Sequence, residues 1–113
     1  MARHVEAELQ DNPRIHALCA AVAVCKSDHE LLLRFLRDLL SARELQDFAN
    51  RWAAARMLMD GRTQIATARE LGMSTKTVNE VAMWVTGPFA TGGFDGAYRR
   101  MNRGYARQQT ARR

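Results

Sequence analysis

Apolar residues recur along this chain three and four positions apart, and no alternation of period two persists anywhere. The pattern predicts an all-α protein, and cap chemistry sets its boundaries. Asn12-Pro13 is a capping residue followed by proline at a first helical position, which predicts a helix to about Val24. Ser27-Asp28-His29-Glu30 and Ser41-Ala42-Arg43-Glu44 both have the S-x-x-E form of a capping box. The first predicts a helix to about Leu40, the second a long helix to about Asp60 that ends at Gly61. Gly87-Pro88 closes the helical pattern. Residues 87–96 hold four of the seven glycines and read as a connector, followed by a short helix over about 97–107.

The stretch TQIATARELGMSTKTVNEV, residues 63–81, predicts two short helices around a glycine turn. Thr63 is placed to cap the first, over 64–71, and Gly72 to end it. Ser74 is placed to cap the second. Val78, Val81, Ala82 and Val85 fall at i, i+3, i+4 and i+7, so one stripe of that helix faces a core. Thr75, Lys76, Thr77 and Asn79 are left near its N-terminal end, as short or hydrogen-bonding side chains. This is the layout of a helix-turn-helix over 63–85 that presents side chains to base edges in a major groove. The same spacing also fits an ordinary αα-hairpin within a bundle.

The helix over 28–40 carries Leu31, Leu32, Leu33, Phe35, Leu36, Leu39 and Leu40, which cover far more than one stripe. Such a helix must be buried on more than one side. Burying one Leu or Phe is worth about 1.5–3 kcal/mol, so leaving several in water is costly. The pattern predicts an intertwined homodimer built by the helices over 13–24, 28–40 and 42–60. The alternative is a compact monomeric bundle with the leucine-rich helix at its centre. A dimer would set two reading helices about 34 Å apart, matched to a two-fold symmetric site.

Charge refines the picture. The chain of 113 residues has a net charge of +5, from 17 Lys and Arg against 12 Asp and Glu. Residues 99–113 contribute Arg99, Arg100, Arg103, Arg107, Arg112 and Arg113 and no acid. Removing those six leaves eleven basic and twelve acidic residues over 1–98, a net of −1. The chain therefore divides into a helical dimerisation and helix-turn-helix domain, 1–98, and a basic tail, 99–113. A basic tail suits phosphate contact through counterion release; a solvated end that aids solubility has the same composition. Within residues 60–85, Asp60, Glu70 and Glu80 balance Arg62, Arg69 and Lys76. There is no secretory signal pattern or membrane span, and the two cysteines do not suggest a disulfide framework, so a cytoplasmic protein is expected.

The run Leu39-Leu40-Ser41-Ala42-Arg43-Glu44, the long helix with Arg51, the break at Gly61, the 63–81 unit and the later Gly92-Gly93 and Tyr98 together resemble the Trp repressor superfamily, over about residues 28–98. The resemblance implies an interlocked helical dimer that binds operator DNA. It assigns base-facing positions to Thr75, Lys76 and Thr77, with Asn79 one turn on, and phosphate-facing positions to Thr63 and Gln64. Ser74 as the cap and Arg62 and Arg69 as phosphate partners complete the expected DNA-binding set. The family's effector pocket maps onto Ser41 and Arg51. However, Glu80 stands where the family has a second arginine, and Trp84 where it has a small serine. A carboxylate there disfavours an acidic ligand. An Arg51–Glu80 pair with Trp84 filling the pocket is therefore expected, and with it a regulator that does not respond to tryptophan; an unknown, cationic effector drawn by Glu80 is the competing expectation.

No catalytic set is apparent, and no cofactor or metal is expected. His16, Cys19, Cys25 and His29 form H-x2-C-x5-C-x3-H, but on one continuous helix the first pair points away from the second. The function that follows is a sequence-specific double-stranded-DNA-binding transcriptional regulator, a dimeric repressor rather than an enzyme. The alternatives are the DNA-binding subunit of a transposase or recombinase, and a helical adaptor dimer that does not touch DNA.

Overall fold

A computed structural model describes residues 3–111, with side chains described for residues 3–103. Among the described residues there are seven helices and no strand. They are α1 (Ala7–Gln10), α2 (Pro13–Val24), α3 (His29–Leu39), α4 (Ala42–Met59), α5 (Gln64–Leu71), α6 (Thr75–Val85) and α7 (Gly93–Ala111).

Side-chain caps start five of these helices. Asn12 Oδ1 accepts the N–H groups of Arg14 and Ile15 ahead of Pro13, at 2.8 and 3.3 Å. Ser41 and Glu44 form the expected reciprocal box: Glu44 N–H donates to Ser41 Oγ at 3.1 Å, and Ser41 N–H to Glu44 Oε1 at 2.9 Å. Thr63 Oγ1 accepts from Ala66 N–H at 3.0 Å, and Ser74 Oγ from Thr77 N–H at 3.1 Å. The start of α3 departs from expectation by one position. Its cap is Asp28, whose Oδ1 accepts Leu31 N–H at 3.0 Å, and Ser27 lies in the preceding turn. Gly72 ends α5 at φ +66°, a backbone state that L side chains rarely adopt.

The helices fall into two compact units. The first comprises residues 4–49, hence α1 to α3 and the start of α4. None of α1, α2 and α3 contains a buried residue, and within 4–49 the one buried side chain is Cys25, in the turn after α2. The monomeric alternative with α3 at the centre of a bundle is thus not what the chain adopts.

The second unit comprises the described residues from Asn50 on, joined by Arg3, whose N–H donates to Ala90 O at 2.6 Å. Its core is Ala54 and Ala55 of α4 against Val81 and Val85 of α6, flanked by Trp52, Leu58, Met59, Leu71, Met73 and Phe94. Val78 and Thr67 are also fully buried, and the Thr67 hydroxyl is satisfied by donation to Thr63 O at 2.8 Å.

The C-terminal region also differs from the sequence expectation. In place of a glycine connector to residue 96 and a helix over 97–107, α7 runs from Gly93 to Ala111. Tertiary contacts outweigh the poor helix propensity of its glycines. The Phe94 ring stacks on Trp52 with centroids 5.9 Å apart, and the Tyr98 hydroxyl donates to Asp60 at 2.5 Å. The expected domain boundary at 98/99 falls inside this helix.

Candidate nucleic-acid interface

The turn between α5 and α6 fixes how the second helix is displayed. Gly72 reverses the chain, Ser74 restarts it, and burial of Val78, Val81 and Val85 rotates the opposite side of α6 outward. Thr75, Lys76 and Asn79 are exposed as a result, and Thr77 is half-buried. Ser74 and Thr77 are occupied with each other, their hydroxyls 2.8 Å apart. They hold the tip in shape and leave Thr75, Lys76 and Asn79 as its freest polar groups. Ser74 itself is exposed.

The start of α5 lies on the same unit. Arg62, Thr63, Gln64 and Arg69 are all exposed. Thr63 spends its hydroxyl on Ala66, while the first-turn N–H groups of Gln64 and Ile65 have no helical partner and sit at the positive end of the helix dipole. Arg62 is engaged: its guanidinium lies 2.7 Å from Glu70, with both side chains about half exposed. Arg62, Thr63, Gln64, Asp95, Tyr98 and Arg99 share one open cleft of about 700 Å³, floored by apolar residues of α4 and α6. Sequence reasoning did not find the α7 side of this cleft. Its only signal was the aromatic pair Phe94 and Tyr98 at i, i+4.

The effector-pocket candidates are partly brought together. Arg51 and Trp84 line one cleft of about 400 Å³ with Thr91, Gly93 and Phe94. Trp84 does not fill it. The indole packs against Phe89, centroids 5.3 Å apart, and forms a wall, with the residue 38% exposed. Glu80 is exposed and is not among the lining residues. The ion pairs among the described residues are Arg34–Glu30, Arg62–Glu70 and Arg99–Asp95, so the expected Arg51–Glu80 pair is not formed. Glu80 lies on the same face of α6 as Trp84, one turn nearer its N-terminus, and the cleft does not extend to it. Ser41 serves as the capping partner of Glu44 in the first unit.

Elsewhere, Cys19 is exposed and Cys25 buried, and His16 Nε2 contacts the Gln10 carbonyl. Among the described residues no three His, Cys, Asp or Glu side chains converge as metal ligands. No helix among them is long and apolar enough to cross a membrane.

An all-helical chain with a capped, glycine-turned helix pair and an exposed second-helix tip defines a helix-turn-helix protein. It belongs to the Trp repressor protein family, whose model matches residues 14–86. Membership suggests a DNA-binding regulator. The match starts before and ends before the stretch of resemblance seen in the sequence, so Gly92, Gly93 and Tyr98 lie beyond it. The chain is also similar to the uncharacterized protein YerC of Bacillus subtilis (strain 168), with 41% identity over 54 residues, 48% of this chain and 52% of that protein. The chain thus matches about half the length of this curated relative. No solved structure gives a significant match.

Proposed function

We propose that this protein is a sequence-specific regulator of transcription that binds double-stranded DNA as a homodimer in the cytoplasm and represses without responding to tryptophan. The observation that carries the proposal is the tip of α6. Lys76 and Asn79 stand exposed on a helix whose opposite stripe is locked into the core by Val78, Val81 and Val85. Such a helix can enter a major groove without rearrangement. Lys76 can donate to guanine O6 or N7, and Asn79 can pair with adenine. Thr63, Gln64 and Arg69 supply phosphate contacts that set the register, with Arg62 joining once it releases Glu70.

Dimerisation is supported by the unburied apolar surface of the first unit. Leu31, Leu33 and Leu39 of α3 are 41%, 58% and 51% exposed, and Phe48 of α4 is 58% exposed. At about 1.5–3 kcal/mol per buried side chain, a second copy laid against this surface gains far more than an isolated chain can. Insensitivity to tryptophan is supported by charge. The cleft of Arg51 and Trp84 offers one guanidinium, and the position that the resemblance gives to a second one is occupied by Glu80, an exposed acid that does not line the cleft.

Selection of bound sequences from a random duplex pool, with and without L-tryptophan, tests the proposal. The expected result is a two-fold symmetric site with half-sites about one helical turn apart, enriched equally in both conditions and lost with Lys76→Ala. Absence of any salt-sensitive duplex binding overturns the DNA reading. Sedimentation of the free protein as a monomer at micromolar concentration overturns the dimer, and micromolar tryptophan binding by calorimetry overturns the ligand-free mode.

A further inference from the structure

α7 begins at Gly93, past the end of the family match at residue 86, and nothing in the helix-turn-helix explains its charge. From residue 99 to the end the sequence holds six arginines and no acid. Three of them, Arg99, Arg100 and Arg103, have described side chains, and all three are exposed. At about 100° per residue they fall within about 100° of arc on one side of the helix, with Phe94, Tyr98 and Met101 on the other. Arg107, Arg112 and Arg113 lie outside the described side chains.

The arginine arc is held in a defined place. The Phe94–Trp52 stack and the Tyr98–Asp60 hydrogen bond fasten α7 to the end of α4, two residues before Arg62. Arg99 consequently lines the same cleft as Arg62, Thr63 and Gln64. Its partner Asp95, at 3.0 Å, is an exposed i, i+4 pair with side chains 72% and 50% accessible, which costs little to exchange. Arg100 and Arg103 enter no ion pair among the described residues. Residues 60–85, by contrast, carry no net charge, so the helix-turn-helix has little long-range attraction for a polyanion of its own.

We infer that α7 is a second duplex-contacting element, in which Arg99, Arg100 and Arg103 neutralise phosphates of the strand that meets the start of α5. The inference rests on the DNA-binding reading above and divides its labour: α6 reads bases, and α7 supplies the sequence-independent attraction that the neutral helix-turn-helix lacks. The matching ligand chemistry is the phosphate backbone of a double helix.

The test measures binding of the full chain to two labelled duplexes of equal length, one carrying the selected site and one unrelated, across a range of salt. Wild type is compared with R100Q/R103Q, with R99Q/R100Q/R103Q and with the triple Lys variant, each checked for helix content by circular dichroism. The slope of log K against log salt is expected to shrink by about 0.9 for each arginine removed. Both duplexes should weaken by the same factor, and the Lys variant should recover the wild-type slope. If wild type binds with salt sensitivity and both Gln variants keep its slope and affinity, α7 is not a contact and the inference falls while the DNA reading stands. Loss confined to the selected site also overturns it. Failure of the wild-type chain to bind either duplex removes both.

Discussion

The Tyr98 hydroxyl donates to the Asp60 carboxylate at 2.5 Å, joining α7 to the turn between α4 and α5 across 38 residues of sequence. Tyr98 is half-buried and Asp60 exposed, so the bond is partly screened. Tyr98→Phe keeps the ring and removes the donor. A loss of about 1 kcal/mol is expected, seen as a thermal midpoint lower by about 4–8 °C. If α7 is positioned by this bond, the same variant also reduces the salt dependence of duplex binding, on selected and unrelated duplexes alike.

Gly72 sits at φ +66° with open space where a Cβ would point. Gly72→Ala therefore meets no neighbour, and its cost is the backbone state alone, about 1–2 kcal/mol. Gly72→Asn should cost less, because Asn tolerates the left-handed region. Equal midpoints for Ala and wild type in urea denaturation contradict this.

Gly87 poses the opposite problem. A Cβ there would lie 2.7 Å from Met83 Cα and 2.8 Å from Met83 O, both backbone atoms that cannot swing aside. Gly87→Ala must displace the last turn of α6 or the loop that carries Phe89, whose N–H donates to Met83 O at 3.3 Å. The expected cost is about 1–3 kcal/mol, together with altered tryptophan fluorescence, because Phe89 is the ring partner of Trp84.

These positions show what the sequence could and could not convey. Thr63, Gly72 and Ser74 act within four residues of themselves, so their chemistry alone located the helix-turn-helix correctly. Asn12 and the Ser41–Glu44 box worked for the same reason. At α3 two neighbouring residues can both cap, and a local pattern does not rank them, hence Asp28 where Ser27 was expected. The failures are tertiary. Gly92, Gly93 and Gly96 read as a connector because nothing local announces that Phe94 stacks on Trp52, more than forty positions earlier. The expected Arg51–Glu80 pair failed because the faces of two helices had to be guessed. Arg51 does share a cleft with Trp84, but its far wall is Phe94 of α7, which no local pattern reveals.

Glu44 contributes a pH dependence to stability. Its carboxyl titrates below its ordinary value, first because the ionised form accepts the Ser41 N–H and then through the Ser41 hydroxyl, with desolvation opposing. A carboxylate whose folded value is lowered favours the folded state once ionised. That contribution is whole above the ordinary carboxylate range, near about 4.3, and disappears as pH falls through the lowered value. The stability gap between wild type and Glu44→Gln should stay constant from about pH 7 to 5 and close on further acidification. Urea midpoints at several pH values check this, and a gap that widens in acid contradicts it.

Glu70 holds Arg62 at 2.7 Å, and this pair stands at the edge of the candidate DNA surface. Both side chains are about half exposed, so the pair adds at most about 1 kcal/mol to stability, and Glu70→Gln should change the thermal midpoint little. Its effect on binding should be larger and favourable. The substitution frees the Arg62 guanidinium and deletes a negative charge beside the proposed phosphate contacts, shifting residues 60–85 from neutral to a net of +1. Duplex affinity is expected to rise about two- to tenfold at low salt, with a steeper salt dependence by up to about 0.9. The gain should appear on selected and unrelated duplexes alike, because phosphate contacts carry no sequence information. In Arg62→Gln the same Glu70 change should recover only the part due to removing the carboxylate. The double-mutant comparison then separates release of Arg62 from simple loss of repulsion. Unchanged or weaker binding by Glu70→Gln places the start of α5 away from the duplex.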